Sequence, residues 1–135
     1  MKLTRFEELE AWQEARSLVR QVYAATRDGA FKQDLRLSGQ IQAAAASVMA
    51  NIAEGFIRRS DKEFIQFLYT AMSSAAEVQS HLYIALDVGY ISKDQFGTLY
   101  DQAGKATKLI SGLIRYLSSS KTKQTKQTKE TGQTK

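Results

Sequence analysis

The chain has 135 residues, 43% of them hydrophobic, with no cysteine, no proline and a formal charge of +5. That length supports one hydrophobic core and excludes two stable ones, while the lack of cysteine excludes disulfides and thiolate zinc sites and fits a reducing compartment. The opening "MKLTRFEELEAW" carries charges where a signal peptide needs an apolar stretch, and the longest small-apolar run, Ala43 to Ala50, is far below the roughly 18 residues of a membrane span. A soluble cytoplasmic protein with no membrane partner is expected, and the absence of proline allows long uninterrupted helices.

From Phe6 to about Thr26, Leu9, Trp12, Ala15, Val19, Val22 and Tyr23 recur at three and four residues, the spacing of one helical face. The i,i+4 charge pairs on this segment, Glu10 with Glu14 and Arg16 with Arg20, are like-charged, so burial of the stripe has to hold the helix. Gly29 is the expected stop. A second segment begins near Ser38 and carries Ile41, Ala45, Val48 and Ile52 among many alanines, which favour helix and let a neighbour come close. It is expected to end at Gly55.

Ser60-Asp61-Lys62-Glu63 has capping-box form and starts a third segment, whose stripe from Phe64 to Ala85 runs unbroken to Gly89. Near 28 residues, it would span about 42 Å. Ser92-Lys93-Asp94-Gln95 starts a fourth, with Phe96, Leu99, Ala103, Ile110, Ile114 and Leu117 on its apolar face. Four helices with short connections predict an all-α protein, an antiparallel up-and-down four-helix bundle over residues 1–117. Tyr69, Tyr83, Tyr90 and Tyr116 fall partly off the core stripes, and such surplus aromatic surface is consistent either with half-buried tyrosines or with a homo-oligomer.

Residues 118–135 hold five lysines against Glu130, a net +4, which leaves only +1 on the first 117 residues. Without a large apolar side chain after Leu117, this Lys/Thr/Gln-rich tail is expected to be disordered. It would serve as a polyanion-binding arm or as a solubilising extension.

Chemistry has little to work with. Helix bundles that hold two metal ions need several inward carboxylates and two Glu-x-x-His pairs, whereas this chain has one histidine, His81, with Glu77 four residues before it. The same scarcity removes Ser-His-Asp and Cys-His nucleophiles, and no phosphate-binding glycine loop occurs. The expectation is a non-enzymatic protein with no catalytic residue, no cofactor and no metal.

What stands out is the corner between the second and third segments, "NIAEGFIRRSDKEF". Asn51 and Glu54 sit at the edge of the apolar stripe, where polar groups are costly unless paired, and Arg58 and Arg59 lie in the connection. Two readings stay open. Either Asn51, Glu54, Gly55, Arg59, Ser60 and Glu63 form a polar clasp that fixes the turn, or the arginines face outward to phosphates or a protein partner.

At these residues the chain resembles the bacterial four-helix-bundle family of proteins encoded by intervening sequences in 23S rRNA genes. That family is similar in turn to the accessory variability determinant of diversity-generating retroelements. The resemblance rests on Ser47-Val48, Asn51 to Gly55, Arg58 to Ser60, Lys62 to Phe64, Phe67-Leu68, Glu77 and Gly89 to Ile91, with "FEELEAWQEARSLV" like the family's first helix. It covers residues 6 to 117. Many members carry a proline shortly before the asparagine, where this chain has Met49, so any kink there should be weaker. The resemblance implies an up-and-down bundle assembled as a ring-like homo-pentamer, a basic surface that meets RNA or DNA, and, in the retroelement relatives, a reverse transcriptase as partner.

The functional expectation is therefore an oligomeric adaptor that binds nucleic acid or a nucleic-acid enzyme through Arg58, Arg59 and Lys62, with Lys32, Arg36 and the tail. The alternative is a structural or protein-interaction module without nucleic-acid binding.

Overall fold

The computed structural model describes residues 2–130, with side chains through residue 119. A 3₁₀ turn at Phe6–Glu8 precedes α1 (Glu10–Ala25), α2 (Gly29–Gln33), α3 (Leu35–Phe56), α4 (Asp61–Asp87) and α5 (Lys93–Glu130). The long helices α1, α3, α4 and α5 run antiparallel, and α1 with α3, α3 with α4, α4 with α5 and α5 with α1 pack side by side around one core. No helix among the described residues is long and apolar enough to cross a membrane.

The core is built from the stripes that periodicity marks out. Leu18, Ile41, Ile52, Leu68, Leu82 and Ile110 are fully buried, each worth roughly 1.5–3 kcal/mol in removed apolar surface. Buried alanines, Ala44 and Ala45 on α3 and Ala71 and Ala75 on α4, keep the side chains of these two packed helices small, which favours close approach of their axes. The last buried side chain on α5 is Leu117, so the packed bundle ends where the apolar pattern does, although helical backbone is assigned on to Glu130. The tail expected to be disordered lies outside the described residues from 131 onward, and outside the described side chains from 120.

Three local differences from the sequence pattern have physical causes. The first helix is broken at Leu9, whose backbone is extended, because the Glu8 carboxylate accepts the Thr4 and Arg5 amides at 2.9 and 3.1 Å and closes a separate turn. The second long helix starts at Leu35 rather than Ser38: Asp34 caps it, its Oδ1 accepting the Leu37 amide at 3.0 Å. Before it stands the short helix α2, entered through Gly29 at φ +66°, a left-handed conformation that glycine adopts without strain.

Glu14 of α1 finds its partners on α5. Gln102 donates from Nε2 to the Glu14 carbonyl and carboxylate, both at 2.9 Å, and Lys105 Nζ lies 3.5 Å from Glu14 Oε2. The Gln102 hydrogen bond, ahead of the Lys105 charge, holds the Glu14 carboxyl below its usual range.

The "Gly-Tyr-Ile" after α4 works as a unit. Gly89, at φ +81°, donates its amide to Leu86 O at 3.1 Å, and the Tyr90 amide reaches Ala85 O at 2.8 Å, the two bonds of a Schellman stop. Tyr90 then stacks on Phe31 of α2, with centroids 5.3 Å apart, and its hydroxyl donates to Asp34 Oδ2 at 2.8 Å. Ile91 is buried in the core.

Candidate functional site: the α3–α4 corner

The corner runs from Phe56 to Ser60. α3 does not stop at Gly55: the residue is helical and buried, Phe56 closes the helix, and Ile57 follows with φ −86°. What requires a glycine is proximity. A Cβ built there would stand 2.8 Å from both Phe64 Cδ1 and Phe67 Cβ, so the end of α3 lies directly against the first turns of α4. Phe56 meets Phe64 edge to face at 6.1 Å and seals the corner.

Ser60 caps α4 as its pattern predicts, Oγ accepting the Glu63 amide at 3.2 Å. The return half of the box takes another form, with Ser60 Oγ donating to Glu63 Oε1 at 3.4 Å. At the start of α5 the box is complete, Ser92 and Gln95 exchanging bonds of 2.9 and 3.1 Å.

The expected clasp of Asn51, Glu54, Arg59 and Glu63 is not formed. Among the described residues no ion pair joins Glu54 or Glu63 to Arg58 or Arg59. All four are exposed, and a pair in water gains too little to hold two long side chains in place. Asn51 turns the other way, back along its own helix. Its Nδ2 donates to Ser47 O at 2.8 Å and Ser47 Oγ at 3.0 Å, and Ser74 Oγ of α4 donates to the same Ser47 Oγ at 2.8 Å. The polar link between α3 and α4 is thus Asn51–Ser47–Ser74, two turns inside the corner.

The cations are left facing out. Arg58, Arg59 and Lys62 are exposed within five positions, with the Arg58 guanidinium over the Phe67 ring at 4.6 Å. Arg58, Arg59 and Ser60 line a cleft of about 250 Å³ together with Leu3, Asp61 and Tyr116, beside the Ser60-capped start of α4. An anion placed here would meet two guanidinium groups and the positive end of a helix, with Asp61 as the opposing charge.

Lys32 and Arg36 do not join this cluster. They stand at the other end of α3, whose 22 residues span about 33 Å. Both are exposed, and Lys32 lines a 540 Å³ hollow with Tyr23, Arg27, Leu35, Ser38, Gly39 and Gln42. Neither Tyr23 nor Arg27 was among the site residues expected from the sequence. Tyr23 reads as core by its spacing yet is 46% exposed, and Arg27 lies in the α1–α2 connection, where no periodicity marks it.

His81 Nε2 lies 3.3 Å from Glu77 Oε2, one turn away on α4. Among the described residues no three histidine, cysteine, aspartate or glutamate side chains converge as a metal site would need.

A family model described as the 23S rRNA-intervening sequence protein matches residues 7–112. Among solved structures, the chain is similar to a protein of unknown function from the S23 ribosomal protein family of Bacteroides thetaiotaomicron. That likeness has 24% identity and a TM-score of 0.71, over 78% of this chain and 95% of that one, and it concerns the fold alone. No protein with a curated function matches. The family match takes in α1 to α4 and α5 as far as residue 112, and the chain belongs to the 23S rRNA-intervening sequence protein family.

Proposed function

We propose that this protein is a cytoplasmic, non-enzymatic, oligomeric adaptor that binds nucleic acid through the α3–α4 corner, with Arg58, Arg59 and Lys62 as the phosphate contacts. The observation that carries this reading is the exposure of three cations in five residues with, among the described residues, no carboxylate ion-paired to them, next to the start of α4. Lys32, Arg36 and Arg27 form a second, separate basic area some 33 Å away along α3. A structured RNA or a duplex could bridge the two. The family's likeness to the retroelement accessory determinant adds a reverse transcriptase as a proposed protein partner, and a homo-pentamer as the proposed assembly.

Binding of a fluorescent RNA hairpin across a salt series tests the corner. Each phosphate contact contributes about 0.7–0.9 to the slope of log K against log salt, so Arg58→Ala/Arg59→Ala/Lys62→Ala should flatten that slope by roughly two to three. A wild-type protein that binds neither RNA nor DNA, or binds with no salt dependence, overturns the proposal.

One observation favours the alternative of a structural or protein-interaction module. Arg58 is already engaged on Phe67, so part of the basic cluster serves the fold. Under that reading Arg58→Ala lowers stability and leaves binding unchanged.

A further inference from the structure

The hollow at the α2 end of the bundle brings together side chains of two kinds. Arg27 and Lys32 are exposed cations, neither is ion-paired among the described residues, and no carboxylate lines the hollow with them. Tyr23 of α1, 46% exposed, and Leu35 of α3, 79% exposed, add flat and aliphatic surface that the core leaves unused. Tyr90 stacks on Phe31, and Tyr83 lies against Phe96 and Tyr100, whereas among the described residues no aromatic ring packs on Tyr23.

The polar groups of the hollow are held in place. Thr26 Oγ1 donates to Val22 O at 2.9 Å, so its oxygen is left to accept, and Gln42 Nε2 donates to it at 2.8 Å. That relay fixes which end of the Gln42 amide faces α1. Ser38 Oγ spends its hydrogen on Asp34 O at 2.9 Å. Gln42 Oε1 and Ser38 Oγ, one turn apart on α3, therefore stand as two acceptors that meet no donor among the described residues. Gly39, next to Ser38, lines the same hollow. A Cβ there would meet nothing within 4 Å, so packing inside the bundle does not call for glycine at a helical position that it weakens. What the glycine leaves is room in the hollow.

We propose that this hollow takes an unpaired nucleobase from a single-stranded segment of nucleic acid, its ring on Tyr23, its amino group on Gln42 and Ser38, and the adjoining phosphates on Arg27 and Lys32. The inference rests on the nucleic-acid reading above and names the part of the ligand that this end of α3 receives.

An aromatic ring beside free cations is the combination that single strands require, the base stacking on the ring while the cations meet the backbone. The volume of about 540 Å³ lies within the roughly 300–1,000 Å³ of small-ligand sites and exceeds what a phosphate alone would fill. A base inside a duplex has its faces stacked and its amino group paired, so only an unpaired one presents both. The two acceptors add a choice among bases. Cytosine carries an amino donor where uracil carries a carbonyl acceptor, in rings of nearly the same shape, so the hollow favours cytosine. An acidic peptide would meet the cations but brings no flat ring to Tyr23.

Fluorescence anisotropy with RNA oligomers of equal length, one all cytidine and one all uridine, tests the base pocket. Phosphate contacts at the corner carry no sequence information, so a preference between the two isolates the hollow. The wild type should bind the cytidine oligomer about fivefold more tightly. Tyr23→Ala should weaken that binding roughly tenfold, and Tyr23→Phe should leave it unchanged. Gly39→Leu, whose side chain fills the hollow from a position with space for it, should abolish the preference with a melting temperature no lower than wild type. Equal affinity for the two oligomers, or a preference that survives Gly39→Leu, overturns the pocket and leaves the corner to its own salt slope. Oligoglutamate that displaces the cytidine oligomer as well as unlabelled oligomer does would assign the hollow to an acidic protein segment and also overturn it. Binding of the RNA hairpin without either oligomer overturns the pocket alone, and a wild type that binds none of the three overturns both readings.

Discussion

Tyr90 donates its hydroxyl to Asp34 Oδ2 at 2.8 Å, while Asp34 Oδ1 accepts the Leu37 amide at 3.0 Å. One carboxylate therefore caps α3 and anchors the loop that ends α4, joining two connections 56 residues apart in sequence. The family-like "Gly-Tyr-Ile" thus has a structural role at the end of the bundle opposite the basic corner.

This pair sets a pH dependence. The Leu37 amide, then the Tyr90 hydroxyl, hold the Asp34 carboxyl below its ordinary value, so its contribution is complete above about pH 4 and is lost as pH falls through the depressed value. The Tyr90 hydroxyl is shifted up, chiefly by its bond to Asp34, so its contribution holds below about pH 10 and is lost as pH rises through the raised value. Thermal melts from pH 2.5 to 11 should show a lower Tm for Tyr90→Phe at neutral pH, with the difference from wild type narrowing toward both extremes. A difference that stays constant across the range would mean the hydrogen bond is not its source.

Gly55→Ala tests the close approach at the corner. Replacing glycine by alanine in a helix ordinarily gains about 1 kcal/mol, but here the new methyl meets Phe67 Cβ, which a rotamer change cannot move. Overpacking of this kind costs about 1–3 kcal/mol. Urea denaturation should show Gly55→Ala less stable than wild type, and Gly39→Ala, with open space around it, no less stable than wild type.

The polar link and the arginines separate cleanly. Asn51→Ala removes two donated bonds and leaves Ser47 with Ser74 alone, a loss of about 1 kcal/mol. Arg59→Ala touches no partner inside the bundle and should stay within about 0.5 kcal/mol of wild type. Equal losses in the two variants would restore the clasp of Asn51, Glu54, Arg59 and Glu63.

Apolar spacing, two serine caps and the lack of proline were enough to specify four antiparallel helices, because one helical face has to be buried and the 3.6-residue period marks which. The N-cap serines were legible for the same reason: their partner lies three residues away along the chain. Long-range partners were not. Nothing local tells Asn51 to turn toward Ser47 and Ser74 rather than Arg59, Asp34 to meet Tyr90, or Glu14 to meet Gln102. Side-chain hydrogen bonds between helices depend on rotation and register of whole elements, which packing sets, and exposed ion pairs are too weak to be inferred from proximity in sequence. Likewise, five candidate cations that composition treats as one set were divided between two ends of α3 by the length of a rigid helix. The amino-acid sequence by itself determined the four long helices, the serine caps of α4 and α5, and the family. Only the tertiary structure decided which polar groups are spent inside the bundle, and that Arg58, Arg59 and Lys62 stand exposed at one corner.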